Sequence, residues 1–472
     1  GQAREAGVNL LRVWGGGVYE SREFYRVCDE LGMLVWQDFL FACAAYPEDD
    51  RLADEVDAEA RDNVARLMPH PSLVLWNGNN ENIWGFFDWD WQDSLDGRPW
   101  GLRYYQETLP AAVAETDPAR PYWPGSPYSG SMDVHPNDDG HGPRHVWDVW
   151  NEADYTVYRD YRPRFVAEFG WQGPPTWSTL TRAVGDDPLT PTSPGMRHHQ
   201  KAEDGDGKLT RGLAPHFPEP ADVVDWHFAT QLNQARAIAL GVEHFRSLRP
   251  HCSGVVLWQL NDCWPAISWA AVDGDGRRKP LWYALRASYA SRLLTFQPRN
   301  GHPALVAVND TTAPWRGSLT VRRIAFDGTK LAVHSGRITV DPLGVAAVGL
   351  PELLATPGDP AAELLVAEVG GERALWFFAE DRDLAYRPAN LEPTVERDRG
   401  VAVVTVQATT LVRDLCLFAD RIDPAAEADD CLVTLLPGQR RTLRVRGVPR
   451  GREDELLGHP VLRTANDLVV RS

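Results

Sequence analysis

The chain has 472 residues, too many for one ordinary domain, so two to four are expected. Its 66 acidic side chains against 48 basic ones leave a net charge of −18, and no Lys/Arg-rich block appears, which argues against nucleic acid as a partner. No apolar run approaches the roughly 18 residues of a membrane helix, and 43% hydrophobic with 24% charged residues describes a soluble globular chain. Tryptophan is the unusual component: there are 19, of which 17 precede residue 300. That asymmetry predicts both a domain boundary and an aromatic recognition site in the first part. The six cysteines (Cys28, Cys43, Cys252, Cys263, Cys416, Cys431) form no CxxC pair and no disulfide framework, so reduced, mostly buried thiols and a cytoplasmic location are expected.

The chain opens on GQAREAG, which reads as the tail of a helix, with no initiator Met and no leader pattern. The expectation is that residue 1 is not the natural start. Strands are then predicted at 9–15 (NLLRVWG), 33–39 (MLVWQDF), 72–79 (SLVLWNGN), 122–126 (YWPGS), 146–150 (VWDVW), 164–170 (RFVAEFG) and 254–260 (GVVLWQL). Between them lie helical patterns. Ser21 is placed to cap a helix carrying Phe24, Val27 and Leu31, which Gly32 stops. Val56, Ala60, Val64 and Leu67 share one face within 54–68, as do Leu232, Ala235, Ile238, Val242 and Phe245 within 221–248. Continuously apolar strands alternating with helices indicate a parallel sheet covered on its outer face. The strand ends carry Trp14, Asp38, Asn80, Glu81, Trp150, Glu168 and Trp258 rather than a phosphate loop, which favours a (β/α)8 barrel over an open doubly wound sheet. Seven strands are counted where eight are needed, and the missing one is expected ahead of residue 1.

From about 297 the pattern turns to alternating strands separated by Gly, Pro, Asp and Asn, with almost no helix. Two β-sandwich modules are expected, so the chain divides into a catalytic barrel at 1–296, a sandwich at 297–388 and a second at 389–472.

Chemistry concentrates in two stretches. WNGNNEN closes one strand with Glu81, and RFVAEFGWQG closes another with Glu168. Two such carboxyl groups facing across a barrel mouth are what glycoside cleavage requires, one to protonate the leaving oxygen and one to attack or to activate water. Mutual repulsion is expected to raise the pKa of the acid. Tryptophan faces stack on sugar C–H surfaces while polar neighbours satisfy hydroxyls. Trp258 in WQLNDCWP is the first candidate platform, followed by Trp89, Trp84 and Trp14, and Asp38 is a candidate for holding sugar hydroxyls. Gly15–Gly17 lacks a GxGxxG or Walker pattern, EDGDGKL and DGDG lack a calcium-loop register, the histidines form no HExxH, and no GxSxG is present.

At this point RVWGGGVYE, DELGMLVWQDFLFACAAYP, HPSLVLWNGNNEN, PRFVAEFGWQG and GVVLWQLNDCWPAISW, in this order, resemble the β-mannosidases of glycoside hydrolase family 2. The resemblance implies that Glu81 is the acid/base after the fourth barrel strand and Glu168 the nucleophile after the seventh, with Ala167 where Ser is common. It implies two immunoglobulin-like sandwiches after the barrel, and further domains ahead of residue 1. The implied activity is exo-hydrolysis of terminal β-mannosyl residues with retention, Asn80 holding the 2-hydroxyl, with no cofactor or metal. Two alternatives stay open: another exo-β-glycosidase (galactosidase, glucuronidase or glucosaminidase), or an inactive carbohydrate-binding remnant. Oligomeric state is left open.

Overall fold

The computed structural model describes residues 1–470. The chain divides into two compact units. The first comprises Gly1–Trp147, Arg159–Phe169 and Leu248–Leu257, and the second holds the remainder.

In the first unit a short helix α1 (Gln2–Glu5) leads into β1 (Leu10–Val13). It is followed by β2 (Leu34–Asp38), β3 (Leu73–Asn77) and β4 (Tyr122–Trp123), which lie side by side in chain order, all parallel. The crossovers carry the expected helices. Helix α2 (Arg22–Leu31) has Ser21 in the cap position without a side-chain cap bond and ends on Gly32 at φ 65°, a left-handed conformation glycine adopts freely. Helix α3 (Asp50–Leu67) is capped by the Asp49 side chain, which accepts from the Leu52 N–H at 3.0 Å. Its Val56, Ala60, Val64 and Leu67 are buried in one cluster with Val13, Val35, Phe39, Leu73 and Trp76 of the sheet. Each large side chain so buried contributes about 1.5–3 kcal/mol, which outweighs the modest helix propensity of the β-branched residues in α3.

A second parallel pair, β5 (Pro143–Val146) and β6 (Phe165–Phe169), completes the unit's named strands. Here two strand expectations are corrected. The run at 146–150 supplies only the end of β5; the chain then leaves the sheet through a kink, with Val149 extended (ψ 121°) and Trp150 at φ 98°. The run at 254–260 contributes a bridge rather than a full strand: Val166 N–H donates to Gly254 O and Val256 N–H to Val166 O. Beyond it the Gln259 and Leu260 carbonyls accept from Ala271 and Val272, so that backbone is committed to a different partner.

The second unit contains the 25-residue helix Val223–Ser247, in which Leu232, Ala235, Ile238, Val242 and Phe245 are all fully buried. Antiparallel sheets fill the rest. β7 (Arg292–Arg299), β8 (His302–Asn309) and β11 (Gly344–Gly349) form one. It shares a core with the sheet of β9 (Trp315–Ala325), β10 (Lys330–Val340), β12 (Glu363–Val369) and β13 (Glu372–Phe377), through Phe296, Leu305, Leu319 and Leu365. A second pair follows. One sheet holds β14 (Leu391–Asp398), β15 (Val401–Ala408), β19 (Arg440–Arg446) and β17 (Glu427–Ala428). The other holds β16 (Val412–Leu417), β18 (Val433–Leu435) and β20 (Leu462–Arg463). The expected boundary between 296 and 297 falls inside β7, because Arg292–Arg299 pairs with β8 along its whole length. Among the described residues no helix is long and apolar enough to cross a membrane, and all six cysteines are free thiols.

Candidate active site

Strand register assembles the site in the first unit. Arg12 on β1 pairs with Trp36 on β2, Asp38 at the end of β2 pairs with Asn77 on β3, and bridges continue past the strand ends through Ala42, Asn80 and Ser126. On the second pair, His145 of β5 sits opposite Glu168 of β6. Glu81 follows β3 at φ 64°, a left-handed conformation a non-glycine residue seldom adopts. Its backbone is held there by its N–H donating to Ser126 O at 2.9 Å and its carbonyl accepting from Gly85 at 2.6 Å.

The two glutamates meet through one imidazole. His145 Nδ1 lies 2.7 Å from Glu81 Oε1 and 3.4 Å from Glu168 Oε2, and these three residues each place a ligand-type atom within 4.8 Å of the others. Their remaining partners differ. Glu168 Oε1 accepts from Arg12 Nη1 at 2.6 Å, and Oε2 accepts from Trp147 Nε1 at 3.0 Å. Glu81 has no cation in contact; Oε2 faces the Cys43 thiol at 3.4 Å. Burial pushes the Glu81 carboxyl up to about 7, against the pull of Cys43, Arg12 and the Trp147 indole. Burial also raises Glu168, opposed by His145 and Arg12. The expected cause was mutual repulsion; desolvation is the larger one for both groups. Burial lowers His145 to about 4, so the imidazole is neutral near pH 7.

Arg12 organises the floor. Its side chain is 4% exposed and donates to Glu168, to Asp38 Oδ2 at 2.8 Å and to Asn80 Oδ1 at 2.8 Å. Asp38, expected to hold sugar hydroxyls, is fully buried with both oxygens engaged. Oδ1 accepts from Trp36 Nε1 at 2.8 Å, Asn77 Nδ2 at 2.9 Å and Arg12 Nε at 3.3 Å, and Oδ2 from Arg12 Nη2 and the Gly15 N–H at 3.1 Å. This corrects that expectation: no lone pair is left over, and Asp38 serves to orient Arg12. Asn80 is likewise turned to Arg12, its amide N–H₂ reaching Cys43 Sγ at 3.4 Å.

Of the expected platforms, Trp14 is half-buried just after β1, with its ring where a Cβ on Gly16 would stand 2.0 Å away, so only glycine fits there. Trp89 joins the site indirectly: its ring lies 6.0 Å from that of Trp84, which meets His145 edge-on at 6.2 Å. Trp258 is half-buried in the second unit. Sequence reasoning missed Arg12, Cys43, Ser126, His145 and Trp147. An arginine inside the apolar run LLRVW was a usable signal, since a charge in a covered strand needs a partner.

Two carboxylates and an imidazole are also a set that ligates divalent cations. The 2.7 Å Nδ1–Oε1 contact is a hydrogen-bond length, whereas tetrahedral zinc ligands stand ~3.3 Å apart. Arg12 already supplies positive charge to Glu168.

No protein-family model matches the chain. Among curated proteins, β-mannosidase B of Emericella nidulans is 30% identical over 93% of this chain and 56% of its own length. β-Mannosidase B of Aspergillus niger is 31% identical over 96% and 57%. Among solved structures, the β-D-mannosidase of Dictyoglomus thermophilum superimposes with a TM-score of 0.88 at 33% identity, covering 98% of this chain and 56% of that one. An exo-chitosanase from Amycolatopsis orientalis shares the fold at TM-score 0.71 and 16% identity. The chain thus spans about half the length of the curated relatives it matches. Along nearly all of its own length it is a homologue of the β-mannosidases.

Proposed function

We propose that this chain carries the catalytic centre of a retaining exo-β-mannosidase, built on a (β/α)8-type barrel and followed by two immunoglobulin-like sandwiches. The observation that carries the reading is the pair of buried glutamates joined through His145, with oxygen atoms within 4.8 Å, in a chain homologous to β-mannosidases. Retaining glycosidases hold their carboxyl groups ~5–5.5 Å apart, and inverting ones ~6.5–9.5 Å, to admit a water. An oxygen of each carboxyl lies within 4.8 Å of one of the other, which leaves little room for an intervening water and supports retention.

The different partners divide the roles. Glu168, ion-paired to Arg12, is the group kept ionised and attacks the anomeric carbon. Glu81, without a cation and raised to about 7, enters protonated and donates to the glycosidic oxygen. The C–O bond breaks as the bond from Glu168 to the sugar forms. Glu81, now a carboxylate, then takes a proton from the water that releases mannose. Arg12 and Trp147 hold Glu168 in line.

The test is hydrolysis of an aryl β-mannoside followed by proton NMR of the first product. β-Mannose appearing first is expected; α-mannose first overturns retention. Glu168→Gln should abolish turnover, and a 2-fluoro mannosyl donor should add its glycosyl mass to the peptide containing Glu168. A panel of aryl β-galactoside, β-glucuronide and β-glucosaminide tests the glycone; faster turnover of any of these than of the mannoside overturns that part.

A further inference from the structure

His145 contacts both carboxyl groups yet has no part in the double displacement as written. Its surroundings are unusually determined. One amide, Asn137, clamps both its backbone groups: His145 N–H donates to Asn137 Oδ1 at 2.8 Å, and Asn137 Nδ2 donates to the His145 carbonyl at 2.9 Å. The side chain is fully buried, and Nε2 lies 2.8 Å from the hydroxyl of buried Ser126. Ser126 in turn accepts the Glu81 N–H through its carbonyl. A closed loop therefore runs Glu81 backbone, Ser126, His145, Glu81 carboxyl.

A neutral imidazole has one N–H, and the loop decides where it sits. Nδ1 faces two carboxyl oxygens, Glu81 Oε1 and Glu168 Oε2, and Glu168 is paired to Arg12. A bare Nδ1 lone pair would repel the ionised Glu168, whereas an N–H satisfies both acceptors. The Ser126 hydroxyl can then donate to Nε2. We propose that the Ser126–His145 dyad is a positioning device that locks the Nδ1–H tautomer against Glu81 Oε1, so that Oε2 is the oxygen that carries the transferred proton in both chemical steps. This rests on Glu81 being the acid/base. Oε2 gives its proton to the glycosidic oxygen and later takes one from water, while the imidazole proton stays on Nδ1 throughout. The other groups facing Glu81 are Cys43, at Oε2, the Trp147 indole, which both glutamates share, and Arg12, whose charge acts on both glutamates; Asp38 lies beyond Arg12.

Two readouts test it on the intact chain. Two-bond ¹H–¹⁵N correlations, with His145 assigned by its loss in His145→Gln, should show a neutral Nδ1–H ring across pH 5.5–8. An Nε2–H ring, or a charged one near neutrality, overturns the proposal whether or not the chain cleaves mannosides. The second readout is kinetic. His145→Gln removes the Nδ1 donor, so the alkaline limb of kcat/KM should move up by about one pH unit. Turnover of phenyl β-mannoside should fall at least tenfold while the dinitrophenyl substrate is much less affected. His145→Asn, whose amide N–H falls where Nδ1–H stands, should recover most of that loss. An equal loss on both substrates with an unmoved limb assigns His145 a structural role only and also overturns the proposal. Absence of β-mannosidase activity in the parent chain instead refutes the functional reading and leaves the tautomer measurement standing.

Discussion

Replacing Arg12 by methionine keeps much of the side chain's length and volume and deletes its charge and all its donors. Three groups lose donors: Glu168 at Oε1 (2.6 Å), Asp38 at Oδ2 (2.8 Å) and Oδ1 (3.3 Å), and Asn80 at Oδ1 (2.8 Å). All three lie in a pocket where Arg12 itself is 4% exposed, so water does not readily replace it. A hydrogen bond to a charged group contributes about 1.5–3 kcal/mol, and one pKa unit corresponds to about 1.4 kcal/mol. Glu168 should therefore be raised by about one to two units. In the proposed mechanism Glu168 attacks in its ionised form, so the acidic limb of kcat/KM should move to higher pH by the same amount. At a pH near or below the original limb, kcat/KM falls roughly 10- to 100-fold. Stranding two buried carboxylates also costs about 3–5 kcal/mol of stability, so the variant has to be shown folded by circular dichroism and its melting temperature recorded. Arg12→Lys returns the charge without the planar fork and should give an intermediate shift. A folded Arg12→Met chain whose acidic limb is unmoved would refute the reasoning.

Asp38→Asn should lower kcat far more than it raises KM for an aryl β-mannoside, because Asp38 acts on Arg12; a mainly KM effect would return it to sugar binding. Trp147→Phe deletes the 3.0 Å donor to Glu168 Oε2 and should cost about tenfold in kcat/KM, measured on a folded variant. In the second unit His216 is buried between Asp154 and Glu380, each at 2.7 Å; burial opposes its charge, but those bonds raise it to about 9. An unfolded histidine titrates near ~6.5. The stabilisation is therefore complete below about pH 6.5 and lost as pH rises toward 9. Discounting for the half-exposed Glu380, it amounts to about 2 kcal/mol. Urea unfolding at pH 6.5 and 9 should show that loss, and His216→Gln should abolish the difference.

How much was legible follows from what each residue needed. Helix α3 could be read because Val56, Ala60, Val64 and Leu67 repeat on one face and are buried on it. The parallel strands could be read because both faces are covered, which leaves continuous apolar runs. Glu81 and Glu168 stood out because a carboxyl at the end of an apolar strand has no structural reason to be there. Asp38 has the same local signature and a different role, and only its five donors tell the two apart. His145 and Ser126 were invisible for a related reason. They are 19 residues apart, and nothing local marks them as partners of an acid 64 residues away from His145. The 254–260 run misled because its composition suits a strand while its backbone partners change after Val256.

The origin of the acid's proton affinity bears on how such a site responds to substitution. If repulsion between Glu81 and Glu168 held the proton, neutralising Glu168 would drop the Glu81 pKa sharply. The structure puts Arg12 and the Nδ1 edge of His145 against Glu168, so much of its charge is already answered before it reaches Glu81. What remains is the desolvation of a buried carboxyl that touches a thiol, an indole and a neutral imidazole rather than a cation. Glu168→Gln should accordingly leave the Glu81 titration within about one unit of its parent value. Carbon-13 NMR of glutamate-labelled chain, with Glu81 assigned by its loss in Glu81→Gln, reads that titration directly. A fall of two units or more would show that repulsion, not burial, keeps the acid protonated.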